Sequence, residues 1–265
     1  MPTPDFASLV YGSAGVPIDD PAETFHEASR LYPSLAPSRV EVLVGLAGND
    51  ELLRAVARSS RTHDHRPSVP LPDAVPLRGS LEDAFRQRRS APAREPRPLS
   101  IDELATLLSS SYAAAPRDRA SRRPVPSAGA LHPLELYVAA LTVNGLDRGV
   151  YHFHPFRRCL ASIGSLVRRD LRAALVDPAL LDHAAVLLVV TAMFWRSRFK
   201  YGQRGYRFAL LEAGHVVQNI VLAATELDLP ALPVGGFYDR RLDRLVGADG
   251  LDEATVYAVV VGGRR

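Results

Sequence analysis

The segment from Tyr206 to Leu227 is predicted to form one long helix that is apolar on nearly every face. Leu210, Ala213 and Val217 recur at intervals of three and four residues, which is the spacing of one helix face. Further apolar side chains occupy the other faces, namely Phe208, Leu211, Val216, Ile220 and Val221. We therefore expect this helix to be deeply buried, with a second copy of the chain supplying part of its covering.

Four polar side chains interrupt the apolar helix: Glu212, His215, Gln218 and Asn219. Because buried polar groups need hydrogen-bond partners, we expect them to form a network in the core or at a dimer interface. Gly214, in the middle of the helix, costs about 1 kcal/mol relative to alanine. A glycine there suggests the close approach of a ligand or of a partner helix.

Helices and strands are predicted in mixed order around this segment. Helices are expected near 22–30, 50–58, 80–90, 100–108, 165–175, 178–183 and 239–245, and strands near 134–140, 149–153, 158–163, 185–193, 230–234 and 254–261. The run at 185–193 is rich in Val and Leu and has strand length, which predicts a buried central strand. With no G-x-G-x-x-G or P-loop motif, the order predicts an α+β fold.

The chain divides at about residue 79. Residues 1–79 are predicted to be an N-terminal extension that ends in a proline-rich linker, with prolines at 67, 70, 72 and 76. Residues 80–265 form the main domain, which opens with two helix-capping sequences at Ser80 and Ser100.

Composition excludes several classes of protein. The chain has 265 residues, a formal net charge of +3 and one cysteine, Cys159, so no intrachain disulfide is possible. The pairs His63/His65 and His152/His154 lack a Cys or carboxylate partner at ligand spacing, so no metal site is expected. The sequence has no basic repeat interleaved with aromatic residues, a pattern that would favour nucleic-acid binding. The N-terminus lacks a basic signal region and the apolar run at 184–195 is too short to span a bilayer, so we expect a cytoplasmic protein without a membrane partner.

A basic stretch precedes the long helix and contains the only lysine of the chain, Lys200. Arginine cannot lose its proton in a protein, whereas lysine loses it readily when it is desolvated or crowded by other cations. The flanking arginines at 196, 198, 204 and 207 and the neighbouring Tyr201 would lower the pKa of Lys200, which suits a proton-transfer residue. A solvated basic face and a phosphate contact remain open as alternatives.

A second candidate site lies in the segment 124–133, Pro-Val-Pro-Ser-Ala-Gly-Ala-Leu-His-Pro. Proline and glycine fix an irregular backbone there, and the small residues Ser127, Ala128 and Gly129 would let a flat ligand approach the main-chain amides. An ordinary turn that enters a strand is the alternative.

These motifs occur in the order seen in a known family. Arg88-Arg-Ser90, the segment 126–137, the segment 149–155, Lys200-Tyr201, the segment 212–219 and Gly235-Gly-Phe237 together resemble the SagB-type dehydrogenases of the nitroreductase superfamily. The resemblance covers residues 80–265. It implies a nitroreductase-like α+β fold, a central mostly antiparallel sheet flanked by helices, in a homodimer that binds FMN at the dimer interface.

The resemblance also implies roles for particular residues. The flavin would be held by Arg88, Arg89, Ser90, Ser127, Ala128, Gly129, Gly235, Gly236 and the basic C-terminus at Arg264. Lys200 and Tyr201 would form the catalytic pair, with the choice of base left open between them. Members of the superfamily often carry a basic residue two positions after the serine. Here that position is Pro92, which shifts phosphate binding toward Arg94, Arg264 or Arg265.

The activity implied by the resemblance is FMN-dependent oxidation of thiazoline or oxazoline rings to thiazoles or oxazoles. The rings belong to a ribosomally made precursor peptide, which would be the substrate, and cyclodehydratase enzymes are further candidate partners. Two alternatives remain: an NAD(P)H-dependent nitro- or quinone reductase on the same fold, and a non-catalytic peptide-binding scaffold subunit of a biosynthetic complex.

Overall fold

The fold is described from a computed structural model that covers residues 20–30, 32, 49–115 and 122–263. Most of the predicted loop at 116–123 and the C-terminal Arg264 and Arg265 lie outside these described residues. The strands, in chain order, are β1 (Ser68–Pro70), β2 (Leu99–Ser100), β3 (Leu134–Ala140), β4 (Val143–Asn144), β5 (Gly149–His154), β6 (Cys159–Gly164), β7 (Val186–Met193), β8 (Ala231–Val234) and β9 (Glu253–Val261).

Seven of these strands form one sheet in the order β1-β6-β5-β3-β7-β9-β8. Every neighbouring pair in this sheet is antiparallel. The short strands β2 and β4 form a separate parallel pair. The α+β fold with a mostly antiparallel sheet is therefore confirmed, and β1 joins the sheet from the N-terminal side of the expected domain boundary.

Strand β7 lies near the middle of the sheet, between β3 and β9. Its side chains alternate between two apolar clusters, with Leu188 and Val190 in one and Leu187 and Val189 in the other. The sequence of a strand that is buried on both faces is typically a continuous run rich in Val and Leu. The prediction of a buried central strand at 185–193 is confirmed.

Helices cover both faces of the sheet. They are α1 (Pro21–Ala28), α2 (Asp50–Ala57), α3 (Leu81–Gln87), α4 (Ile101–Tyr112), α5 (Arg168–Ala174), α6 (Trp195–Tyr201), α7 (Arg204–Glu226) and α8 (Asp239–Val246). Helices α4 and α7 pack on one face, and α5 and α8 on the other. Ser100 and Glu103 cap α4 reciprocally, as predicted. The helix expected at 178–183 is a 3₁₀ turn over Pro178–Leu181.

Helix α7 is less completely buried than the sequence predicted. Its exposed side carries Leu210, Leu211, Gly214, His215 and Gln218. The prediction of burial on nearly every face, and of buried His215 and Gln218, is wrong for a single chain because the sheet and α4 cover only part of the helix. Glu212 is buried as expected, and Asn219 is half-buried.

By length and composition, α7 could cross a membrane. The expectation of no membrane span rested on the shorter run at 184–195 and took no account of this helix. More than half of its apolar stretch is buried inside the fold, which identifies α7 as a core helix. At Gly214, a methyl group would meet nothing within 4 Å in the described residues, so the close approach expected there does not come from this chain.

Gly205 lets α7 pack directly against α6. A methyl group at Gly205 would stand 2.7 Å from the carbonyl carbon of Ser197 and 2.8 Å from the amide nitrogen of Arg198. Backbone atoms cannot move aside as the end of a flexible side chain can. Gly205 therefore fixes the separation of the two helices.

We expect Gly205→Ala to destabilise the fold by about 1–3 kcal/mol, because overpacking outweighs the gain in helix propensity. The matched control is Gly164→Ala at the end of β6, where a methyl group meets nothing within 4 Å and the cost should stay within about 0.5 kcal/mol. Urea unfolding measures both. Equal stability of the two variants would contradict the close packing of α6 on α7.

Candidate functional site

The two stretches predicted as separate sites lie in contact. Gly129 adopts a left-handed backbone conformation with φ of 62° inside the short 3₁₀ turn Ala128–Ala130. A methyl group at Gly129 would stand 2.7 Å from Tyr201 Oη and 3.1 Å from Lys200 Nζ. Both functional groups of the Lys-Tyr pair therefore reach the backbone of the Ser127–Gly129 loop, which places them at one candidate site.

The sheet explains why these stretches meet. Strand β3 runs antiparallel to β7, with Leu134 opposite Ala192, so the start of β3 lies beside the end of β7. The Ser127–Gly129 loop precedes β3, and α6 follows β7. A backbone hydrogen bond from Met193 N to Pro133 O, 2.7 Å long, closes the junction.

The arginines around Lys200 each have their own partner. Arg196 Nη1 lies 2.6 Å from Glu135 Oε1, and the Arg198 guanidinium lies 4.6 Å from the centre of the Trp195 ring. Arg204 and Arg207 contact the end of α1 through Ser29 and His26. The basic stretch is therefore not a uniform solvated face, because several of its cations hold other parts of the chain.

Glu135 is a buried carboxylate that joins three parts of the chain. It accepts a hydrogen bond from the Arg61 amide (2.8 Å) and one from Ser60 Oγ (3.2 Å), and it lies 2.8 Å from His152 Nε2. Burial raises the pKa of Glu135, but the hydrogen bond from His152 and the charge of Arg196 outweigh it and lower the pKa to about 2. The carboxylate is therefore ionised at neutral pH and holds α6 through Arg196.

Sequence reasoning gave Glu135 no role. The available signal was a charged residue inside an otherwise apolar strand, Leu-Glu-Leu-Tyr-Val-Ala-Ala. Buried charges in proteins are paired, so such a residue predicts a partner. What the sequence could not supply was the identity of that partner, because Arg196 lies in α6, the helix that follows a different strand.

A second buried polar cluster supports the Ser127–Gly129 loop from behind. His132, which has a φ of 45°, donates its backbone N–H to Ser127 Oγ at 2.9 Å. Tyr112 Oη donates to Glu212 Oε1 at 3.0 Å and accepts from the amide of Leu134 at 3.1 Å. Burial lowers the pKa of His132 more than its interaction with Glu212 raises it. This cluster gives the buried Glu212 the partner that the sequence analysis required.

The two His-x-His pairs serve the structure. The rings of His63 and His152 lie 5.1 Å apart, and His152 is committed to Glu135. His154 Nδ1 accepts from the amides of Phe156 and Arg157 at 3.3 and 3.2 Å. Within the described residues, no group of three His, Cys, Asp or Glu side chains is arranged to hold a metal ion.

The remaining predicted cofactor residues lie along edge strand β8. Ser90 pairs with Ala231 at the start of β8, and Arg88 Nη1 donates to Ser90 Oγ at 3.2 Å. Arg89 donates instead to backbone carbonyls of its own helix and turn. Gly235 and Gly236 follow the end of β8 and are exposed, and a methyl group at Gly235 would meet nothing within 4 Å.

These residues suit a phosphorylated cofactor. Among the described residues, Arg88 has no carboxylate partner, so its charge is available to a phosphate beside the Ser90 hydroxyl. The amides of Gly235 and Gly236 face no acceptor in the described part of the chain. Arg94 is exposed, and Arg264 lies outside the described residues.

The two groups of predicted cofactor residues do not come together within one chain. Strand β8 lies at the edge of the sheet, three positions from β3 in the order β3-β7-β9-β8. At about 4.8 Å per strand, β8 and β3 are about 14 Å apart. The register places Ser90 level with Ala140 at the far end of β3, whereas the Ser127–Gly129 loop precedes Leu134. The Arg88, Ser90 and Gly235 group is therefore separated from Gly129 and Tyr201 by at least three strand spacings.

Comparison with known proteins agrees with this architecture. The model of the nitroreductase family matches residues 85–263. Over 179 residues the chain is 35% identical to MJ1384 of Methanocaldococcus jannaschii, a protein assigned to the nitroreductases, with 67% of this chain and 88% of that protein covered.

Two further relatives are named for peptide processing. The chain is 32% identical to the microcin B17-processing protein McbC of Escherichia coli, over 62% of this chain and 61% of McbC. It is 31% identical to the trifolitoxin-processing protein TfxB of Rhizobium leguminosarum bv. trifolii, over 74% of this chain and 56% of TfxB. The matches therefore span about three fifths of these two proteins.

Solved structures share the fold. A structure from Anabaena variabilis assigned to the nitroreductases superposes with a TM-score of 0.66 at 29% identity, covering 76% of this chain and 42% of that one. A chain of the E. coli microcin synthetase McbBCD complex with truncated pro-MccB17 bound superposes with a TM-score of 0.60 at 23% identity, covering 89% of this chain and 98% of that one.

The depressed pKa of Glu135 predicts a particular loss of stability in acid. Its folded-state value of about 2 lies below the unfolded value of about 4.3, so the stabilisation is present above pH 4 and is lost as the pH falls toward 2. Glu135→Gln should lower the free energy of unfolding by about 3 kcal/mol or more at neutral pH. The difference in unfolding free energy between variant and wild type should shrink over this acid range, as measured by urea unfolding at several pH values.

The control variant is Glu82→Gln, which removes an exposed carboxylate paired with Arg86 on the surface. Its effect should stay below about 1 kcal/mol at every pH. A Glu135→Gln deficit of the same size in acid and at neutral pH would contradict the ionised, buried carboxylate.

Proposed function

Because the chain belongs to the nitroreductase family, we propose that it is an FMN-dependent azoline dehydrogenase. It would oxidise thiazoline or oxazoline rings in a ribosomally made precursor peptide to thiazoles or oxazoles. The observation that carries this proposal is the contact of Lys200 Nζ and Tyr201 Oη with the Ser127–Gly129 loop. The similarity to McbC and TfxB, both named for processing peptides, supports the substrate class.

Lys200 and Tyr201 suit the proton-transfer part of this reaction. An azoline ring becomes aromatic by losing two hydrogens, one as a proton and the other together with an electron pair. FMN, when bound, supplies the two-electron acceptor. The proton would go to Lys200, or to Tyr201 held beside it. Both groups reach the small-residue loop at Gly129.

The residues along β8 would hold the cofactor. Arg88 and Ser90 offer charge-assisted hydrogen bonds to the phosphate, and the free amides of Gly235 and Gly236 offer donors to the ring system. A contact with the cofactor phosphate remains a prediction for three further arginines. Arg89 donates to backbone carbonyls instead, and no contact is described for Arg94 or Arg264.

A homodimer would complete the site. Within one chain, at least three strand spacings, about 14 Å, separate Gly235 from the Ser127–Gly129 loop. The exposed side of α7 supplies an apolar surface with a glycine at its centre, which suits packing against a second copy. We therefore propose that one copy supplies Arg88, Ser90 and Gly235, and the other supplies Ser127–Gly129 with Lys200 and Tyr201.

Partner enzymes and location are part of the same proposal. One chain of the McbBCD complex shares this fold, which supports an assembly with cyclodehydratase enzymes in the cytoplasm. The similarity to MJ1384 favours a second candidate function, an NAD(P)H-dependent nitro- or quinone reductase. A scaffold without catalysis would purify without flavin and stay colourless when FMN is added.

Substitutions at Lys200 separate proton transfer from phosphate binding. Lys200→Arg keeps the charge but cannot accept a proton, and Lys200→Ala removes both. Both variants should lose azole formation by about 10²- to 10⁴-fold while keeping FMN. Tyr201→Phe then tests whether the hydroxyl is also needed. The readout is the loss of two hydrogen masses per ring on an azoline peptide, alongside flavin occupancy.

Near wild-type oxidation by Lys200→Arg would refute the proton-transfer role. Loss of flavin in Lys200→Ala, together with its retention in Lys200→Arg, would identify a phosphate contact instead.

A charge on the exposed side of α7 tests the dimer. Leu211 is 61% exposed on α7, and Leu251, before β9, is 84% exposed. We expect Leu211→Glu to give a monomer that has lost FMN, because a cofactor held by two copies needs both. Leu251→Glu should remain a flavin-loaded dimer. Light scattering and flavin absorbance measure both properties, and a flavin-loaded monomer would overturn the shared site.

A further inference from the structure

A surface groove of about 880 Å³ lies between α1 and the turn that joins α6 to α7. Helix α1 precedes the residues matched by the family model, so one wall of the groove comes from the N-terminal extension. The other wall carries Arg198, Gln203 and Tyr206. A groove of this volume is large enough for a small ligand or a short peptide segment.

Helix α1 is fixed in place by arginines at its C-terminal end. Arg207 Nη2 donates to the carbonyl of His26 at 2.6 Å, and its Nε donates to Ser29 Oγ at 2.8 Å. Arg204 Nη1 reaches the carbonyl of Ser29 at 3.4 Å. The last carbonyls of a helix lack partners within the helix and carry partial negative charge, so two cations there hold it firmly. The Phe25 and Tyr206 rings, 5.2 Å apart, pack edge to face at the same junction.

The groove combines an apolar wall with an unbalanced positive charge. Helix α1 presents Pro21, Thr24, Phe25 and Ala28 to it, at the spacing of one helix face and without a charge. Glu27 of α1 is committed to Arg30 and Tyr32. On the opposite wall, the charged residue that lines the groove is Arg198, and among the described residues no ion pair joins it to a carboxylate. A surface of one charge sign attracts ligands of the opposite sign.

We propose that this groove binds an acidic segment of a peptide, with a carboxylate paired to Arg198 and a neighbouring apolar side chain packed against Phe25 and Tyr206. That the peptide is the precursor substrate rests on the proposed function. Arg198 lies two residues before Lys200 in α6, so the two side chains leave the helix on roughly opposite sides. The groove therefore anchors a peptide on the side of α6 away from the Lys-Tyr pair, as a contact separate from the ring that reacts there.

The groove favours a peptide over a phosphate ligand. Phosphate sites bring several donors together on one anion. Here Arg204 and Arg207 already donate to α1, which leaves the Arg198 guanidinium beside an apolar wall. A single cation next to aromatic and aliphatic surface suits a carboxylate that is followed or preceded by an apolar side chain.

Binding of short fluorescein-labelled peptides to the intact protein, followed by anisotropy, tests the proposal. The probe alternates Glu and Phe with Gly spacers, and its twin carries Gln in place of every Glu. We expect the Glu peptide to bind roughly fivefold more tightly than its twin, and Arg198→Gln to remove that difference. The control is Arg169→Gln on α5, an exposed arginine whose Nε lies 3.5 Å from Asp170 Oδ1.

A second pair of variants tests the place of binding. Thr24→Trp fills the groove and should weaken the Glu peptide at least tenfold, whereas Glu23→Trp adds the same side chain outside the lining and should bind as wild type does. Arg198→Gln leaves the contacts that hold α1 intact. Its result therefore stands even if Thr24→Trp disturbs the docking of α1.

Several outcomes would overturn the proposal. They include equal binding of the Glu and Gln peptides, unchanged binding by Arg198→Gln, and displacement of the labelled Glu peptide by inorganic pyrophosphate at much lower concentrations than by unlabelled Glu peptide. Loss of the dimer in Thr24→Trp would assign the groove to a second copy and would also overturn it. The assay uses no azoline ring and no flavin chemistry. A negative binding result therefore does not bear on the proposed reaction. An enzyme that binds the Glu peptide but does not oxidise azoline rings still supports the proposed peptide groove.

Discussion

The antiparallel ladder between β3 and β7 is the interaction on which the candidate site depends. Leu134 pairs with Ala192, so the loop that enters β3 and the helix that leaves β7 emerge at the same end of the sheet. No local preference makes Gly129 meet Tyr201, which lies 72 residues further along the chain (201 − 129). The sheet brings them together, and its two buried faces keep the strands from slipping, because a one-residue shift would turn core side chains to the wrong face.

Glu135 extends this geometry to residues outside the family match. Arg196 lies one helical turn before Lys200, so the ion pair with Glu135 fixes the rotation as well as the position of α6. The same carboxylate accepts hydrogen bonds from Ser60 and Arg61 in the N-terminal segment. The N-terminal residues are thus joined to α6, which carries the candidate proton acceptors, and α1 is joined to the start of α7 through Arg204 and Arg207.

The sequence predicted what depends on local pattern and missed what depends on distant pairing. The Val-rich run predicted strand β7 and the capping box at Ser100 predicted the start of α4, because apolar runs and helix caps are local properties of the sequence. Lys200 was noticeable as the single lysine, and the Ser127–Gly129 loop by its small residues. The partner of Glu135 was not readable, since it lies 61 residues away (196 − 135). One side of α7 is exposed in a single chain, which the sequence did not predict, because an apolar helix face does not reveal whether its own chain or another copy covers it.

The proposed function requires an azoline ring, held beside Lys200 and Tyr201, to be the electron donor to a bound flavin. Anaerobic titration of the FMN-loaded protein tests this directly, with flavin absorbance followed as substrate is added. We predict that an azoline peptide bleaches one flavin for each azole formed, and that NADH or NADPH leaves the flavin oxidised. Rapid bleaching by a pyridine nucleotide, with no change on adding the azoline peptide, would contradict the claim and would favour a nitro- or quinone reductase.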